Sequence, residues 1–205
     1  AGSRFPVAAN VLGSARRCAW ALGEEPEAIG ARLLATAERI LPPRPRALWE
    51  ARSTILGGRN FRTRRARRAP WRADPALTLD DLPVVTCWPG DGGPFVTFPL
   101  VLTTHPETGQ RNLGIYRMHV YDGRTTGMHW QIMKGGGYHY AAAERSGVDL
   151  PVAVALGADP ITLLASVAPL PEGIDELAFA GFLRGSPSEL ARCVGVMAEV
   201  VAEWS

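Results

Sequence analysis

Arg117, His119, His129, Gln131 and Lys134 fall close together and are followed by glycines at 135, 136 and 137. Lys134 is the only lysine among 22 cationic side chains. A lone ammonium beside a glycine tract suits a phosphate, because glycine lets backbone N–H groups come close to an anion. The histidines do not have the spacing of a metal motif by themselves. His119 and His139 are read as surface or internally satisfied rings.

The element expected to position these residues is a hairpin over 112–136, turning at Asp122-Gly123. With a two-residue turn, Tyr121 faces Arg124. The same register sets Asn112 across from Met133, Gly114 across from Gln131 and Tyr116 across from His129. Alternation then gives one polar face, and a packed face of Leu113, Ile115, Met128, Trp130 and Ile132. Arg117 falls awkwardly on the packed face, and a bulge near Thr125-Thr126 would move it. The alternative is an ordinary half-exposed hairpin with a polar outer face.

Around it, Ser14 caps a short helix to Leu22, ended by Gly23, and Pro26 opens a second. The first part reads as helical to about Ile55. Residues 82–87 and 95–103 are rich in strand formers, separated by the tight loop Trp88–Pro94. Val152–Leu156 fits a buried strand, and Asp159-Pro160 opens a helix over 160–167. A further helix runs from Asp175 to Arg184, stopped by Gly185. Leu190, Cys193, Val194, Met197, Val200, Val201 and Trp204 repeat at three and four, which predicts an amphipathic helix over 187–204.

Three parts are expected: a helical segment 1–56, an arginine-rich connector 57–81, and a core 82–205. The run from Arg59 to Arg72 reads as a solvated connector, with nucleic-acid contact as the weaker alternative. Only Phe61 and Trp71 could stack on bases there, and the net charge of +2 gives no strong global field. Cys18, Cys87 and Cys193 are too far apart for a metal motif and read as reduced thiols. With no charged-then-apolar leader, a cytoplasmic chain is expected.

Six ordered blocks carry a resemblance. They are Phe5-Pro-Val-Ala-Ala-Asn10, Trp88-Pro-Gly-Asp-Gly-Gly-Pro94, and Asn112-Leu-Gly-Ile-Tyr-Arg117. Met128-His-Trp130 with Lys134-Gly-Gly136 follows, then Pro151-Val-Ala-Val-Ala-Leu-Gly-Ala-Asp-Pro160, then Asp175-Glu-Leu-Ala-Phe-Ala-Gly181 with Leu183-Arg-Gly185. Together they resemble the UbiD family of polyprenyl-hydroxybenzoate decarboxylases. The resemblance implies an α/β fold with a split β-barrel flavin-binding core and flanking helices. It implies prenylated FMN as cofactor, a manganese or magnesium ion, and a nearby potassium ion. Asn112 and Glu176 would be metal ligands. Ile115, Tyr116, Arg117, His129, Trp130, Gln131, Lys134, Gly135 and Glu176 would bind the cofactor. Arg117 would serve the catalytic arginine–carboxylate network, where its planar fork suits a two-pronged carboxylate pair. The chemistry implied is reversible decarboxylation of aromatic or α,β-unsaturated acids. A carboxylic acid substrate and a homo-oligomer or partner subunit follow from the same likeness.

Two departures are visible. Met133 stands where the family usually has a metal-binding histidine, and a thioether is a poor ligand for hard cations. The family's Glu-Gly-Pro motif, which carries catalytic carboxylates, does not occur in these 205 residues. Catalysis is therefore expected to need a C-terminal portion or partner subunit. The alternative is a flavin- or phosphate-binding module without catalysis.

Overall fold

The computed structural model describes residues 5–40, 61–67, 74, 76–171, 173–193 and 199–201. The helical expectation beyond Ile40 and the arginines at 59, 68 and 72 lie outside them. So do residues 194–198 and 202–204 of the expected last helix.

Helix α1 (Ala15–Leu22) starts where the Ser14 side chain accepts from the Arg17 N–H at 3.3 Å, and Gly23 ends it. Helix α2 spans Pro26–Ile40. The core is a three-stranded antiparallel sheet ordered β4-β3-β7, with β3 Leu100–Thr104, β4 Arg111–Ile115 and β7 Val152–Ala155. Register pairs Leu102 with Leu113 and Ala153, and Thr103 with Asn112 and Val152. Alternation therefore divides the sheet into two faces. Leu100, Leu102, Leu113, Ala153 and Ala155 form the main core with Leu177 and Leu190. Thr103 and Asn112 point the other way and are buried as well.

A second sheet, β2-β5-β6, joins β2 (Phe95–Val96), β5 (Met118–Val120) and β6 (Thr126–Met128). Its Val96, Met118 and Val120 make a smaller cluster, packed on by Leu79, Val84, Met128 and Val154. The third sheet sets β1 (Thr63–Arg65) parallel to β8 (Ser188–Arg192), which pairs antiparallel with β9 (Glu199–Val201). Among the described residues these sheets form a mixed α/β fold and no closed barrel.

Helix α3 covers Gly135–Ser146, α4 Pro160–Val167 and α5 Glu176–Arg184. The predicted caps hold: Asp159 accepts from the N–H groups of Ile161 and Thr162, and Asp175 from those of Leu177 and Ala178. Arg184 ties α4, α5 and β8 together. Its Nη2 donates to Asp159 Oδ2 at 2.9 Å and Thr162 Oγ1 at 2.8 Å, and its Nη1 to Ser188 Oγ at 3.3 Å.

Three expectations need correction. Among the described residues the amphipathic helix expected over 187–204 is not formed: 188–192 and 199–201 are strands. Ser188 and Leu190 point inward while Glu189 pairs with Arg64 of β1, so strand pairing overrides the helical period. Strand 82–87 shrinks to one bridge, Val85 with Phe95, where Pro83 and Pro89 remove donors on either side. The strand expected over 95–103 is broken at Pro99 into β2 and β3.

The long hairpin is corrected too. Asn112 lies across from Thr103, not Met133, and the chain changes sheets between Ile115 and Met118. The short β5–β6 hairpin pairs His119 with Gly127, and Tyr121 N–H donates to Thr125 O at 3.0 Å. Its loop thus has three residues, Asp122 to Arg124, and every pairing slips by one from the two-residue expectation.

Candidate functional site

The switch of sheets after β4 builds the site. Asn112 is the last polar inward residue before the switch, Tyr116 and Arg117 span it, and His129 and Trp130 return opposite. Trp130 stacks edge-on against Tyr116 with ring centroids 5.1 Å apart. The Tyr116 hydroxyl accepts from Asn112 Nδ2 at 3.3 Å and from the Gly136 N–H at 2.9 Å.

Those bonds bring the N-terminus of α3 against the sheet, so glycine is required there. A Cβ on Gly135 would overlap the Asn112 amide, and one on Gly136 would lie 2.6 Å from Trp130 and 2.9 Å from Tyr116. Lys134 is the exposed N-cap and supplies no side-chain capping bond. A cationic residue thus precedes the positive end of the helix dipole, a combination suited to phosphate.

The helix is anchored from beneath. Its buried His139, 5% exposed, shares a 2.8 Å hydrogen bond through Nδ1 with Thr103 Oγ1. Burial, with His105 edge-on at 5.3 Å, holds the His139 imidazole below the usual histidine range.

Arg117 lies on the other side of the switch. Its guanidinium carbon sits 4.1 Å above the Phe95 ring, and Nη2 pairs with Asp91 Oδ2 at 3.1 Å. The loop 88–94 therefore does more than turn. His129 touches the same Phe95 ring edge-on at 5.8 Å, and its N–H donates to Arg117 O at 3.0 Å.

Glu176 begins α5. Its Oε2 accepts the Leu113 N–H at 3.1 Å, covering the open edge of β4, while Arg111 Nη2 pairs with neighbouring Asp175 at 2.7 Å. Burial pushes the Glu176 carboxyl up; N–H donors from its own backbone and Leu113 oppose this, Asp175 adds to it, and Arg111 opposes it.

The expected residues thus fall into three groups: Asn112, Tyr116, Trp130 and Gly135; Arg117 and His129; and Glu176 at the β4 edge. Ile115 packs against the core. Gln131 and Lys134 are exposed on the turn into α3. Met133 is 75% exposed with φ 72°, and Tyr138 Oη donates to its sulfur at 3.3 Å. Of the two expected metal ligands, Asn112 donates through Nδ2 to Tyr116 and Glu176 accepts the Leu113 N–H through Oε2, while Met133 faces solvent. No group of three or more His, Cys, Asp or Glu that could hold a metal ion occurs among the described residues.

Sequence reasoning missed Asp91, Phe95, Thr103 and His139 as site-building residues. Only Asp91 left a signal, as the sole acid in its glycine-rich loop.

The model of the 3-octaprenyl-4-hydroxybenzoate carboxy-lyase Rift-related domain matches residues 62–204. The chain belongs to the UbiD family. It is 43% identical to an uncharacterised Archaeoglobus fulgidus protein over 213 residues, covering 98% of this chain and 44% of that protein. It is 38% identical to a 4-hydroxybenzoate decarboxylase subunit from Chlamydia pneumoniae, over 90% of this chain and 32% of that one. The UbiD-class enzyme HmfF from Pelotomaculum thermopropionicum, solved with FMN, superposes with a TM-score of 0.74 at 28% identity, over 98% of this chain and 42% of that chain. An evolved dimeric form of HmfF with prFMN gives 0.70 at 27% identity, over 93% and 41%. This chain therefore spans less than half the length of these UbiD relatives. No helix among its described residues is long and apolar enough to cross a membrane.

Proposed function

We propose that the chain is the flavin-binding portion of a UbiD-type non-oxidative decarboxylase of aromatic or α,β-unsaturated acids, using prenylated FMN within a split-barrel core. The pocket is completed by further polypeptide or by a partner subunit. The observation that carries this reading is Arg117: a half-buried guanidinium clamped by Phe95 and Asp91, one residue beyond the tyrosine that docks the glycine turn of α3.

When bound, prenylated FMN supplies the electron sink for loss of carbon dioxide. Lys134, Gly135 and the first-turn amides of α3 other than that of Gly136, which Tyr116 takes, would hold its phosphate. Ile115, Tyr116, His129, Trp130 and Gln131 would line the flavin. Arg117 orients the substrate carboxylate by charge-assisted hydrogen bonds, and this is its catalytic role. Glu176 closes the strand edge beside Asn112 and keeps water from the Leu113 N–H.

Lys134→Ala tests the reading directly. Its exposed side chain makes little difference to folding, so the thermal midpoint stays within about 1 °C of wild type. Retention of prenylated FMN, followed by absorbance after gel filtration, falls about tenfold, as expected when a phosphate loses a cationic partner. Unchanged retention would count against the phosphate assignment.

A further inference from the structure

Asp91 is the one acid in the loop Trp88–Pro94, and its carboxylate has two bonding partners. Its Oδ2 accepts the Trp88 N–H at 3.3 Å and Arg117 Nη2 at 3.1 Å, while its own N–H donates to Trp88 O at 3.0 Å. The Asp91 side chain is 14% exposed and that of Arg117 is 37% exposed. The Phe95 ring below and the Asp91 carboxylate beside hold the guanidinium, and the rest of it is open to solvent.

We propose that Asp91 is a positioning residue that aims Arg117 and shares its charge, so that the substrate carboxylate is held loosely enough to leave. This rests on the reading of Arg117 as the partner of that carboxylate. A guanidinium with no other acceptor would grip a carboxylate through two parallel bonds. Carbon dioxide is neutral, so that grip is lost as the carbon–carbon bond breaks. An interaction stronger in the ground state than in the transition state slows the step. Asp91 takes one N–H of Nη2 and part of the guanidinium's charge, and the bound acid becomes the second, weaker acceptor.

Asp91→Asn keeps the shape and removes the shared charge. In the holoenzyme loaded with prenylated FMN, 4-hydroxybenzoate serves as probe, with binding measured by calorimetry and turnover by carbon dioxide release. Binding tightens and kcat falls, each by about threefold to tenfold, so KM and kcat drop together. Asp91→Glu restores both toward wild type. A merely structural role would instead weaken binding and release flavin. Binding unchanged or weaker in Asp91→Asn, while Arg117→Lys abolishes it, overturns the proposal and leaves the Arg117 reading standing. Arg117→Lys behaving as wild type, or no binding to wild type, overturns that reading and the proposal with it.

Discussion

The β4-β3-β7 and β2-β5-β6 sheets differ in what they bury. The first hides leucines on one face and the polar pair Thr103–His139 with Asn112 on the other. The second buries only Val96, Met118 and Val120 in its cluster and leaves Arg117, His119 and His129 in reach of solvent. Fully satisfied buried polar groups fix a single arrangement, because any shift leaves one unpaired. The first sheet is thus a frame that sets the α3 N-terminus, and the second keeps polar side chains at its surface.

The sharpest way to break this contrast is to damage the frame. Leu100→Ala, at a side chain 1% exposed, is expected to destabilise by about 2–5 kcal/mol, read by urea unfolding. Phe98→Ala, 57% exposed between the sheets, is expected to stay within about 0.5 kcal/mol. Equal losses would erase the distinction.

Gly136→Ala strikes the joint between the two. Its new methyl meets Trp130 and Tyr116, and overpacking costs about 1–3 kcal/mol. Flavin retention should fall further than the stability loss accounts for, since the N-terminus of α3 must lift off Tyr116. Retention at the wild-type level, at equal folded fraction, would detach the helix terminus from the cofactor.

The smallest effects are in pH dependence, where the Glu176 carboxyl and the His139 imidazole act in opposite senses. His139 binds its proton less readily folded than unfolded. Its contribution to stability is present above about pH 6.5 and is lost as pH falls through the folded value. Glu176 binds its proton more readily folded than unfolded. Its contribution is present below about pH 4.3 and is lost as pH rises through the raised folded value. In thermal melts across this range, His139→Gln should flatten the acid-side loss, and Glu176→Gln should flatten the loss on the rise. Superimposable pH profiles for wild type and both variants would refute the assignment.

Much of the frame was legible in the sequence because its signals are local. Ser14, Asp159 and Asp175 are caps whose hydroxyl or carboxylate has a fixed target two or three residues on. The alternation of Leu113 and Ile115 against Asn112 also survives, since it needs only a strand. The register did not, because one extra loop residue after Asp122 shifts every pair, and the switch of sheets at Tyr116 has no local marker. Residues 188–192 misled for a related reason: their partner, β1, is remote, and helical spacing alone cannot reveal it. In the candidate site, Lys134 and Gly135 were singled out by composition. The Arg117–Asp91 and Thr103–His139 pairs each join residues from separate elements, which no spacing rule reaches.

The parallel pairing of Thr63 with Ser188 carries a kinetic cost. Arg64 and Glu189, which also face each other there, lie 125 residues apart. During synthesis the segment at 63–65 must wait for almost all of the intervening chain before it gains a neighbour. Loops that long close slowly, so this sheet should be among the last parts to form and the first to trap nascent chains. A ribosome stalled before Leu190 is made would leave an arginine-bearing strand unpaired, a ready target for quality-control proteolysis.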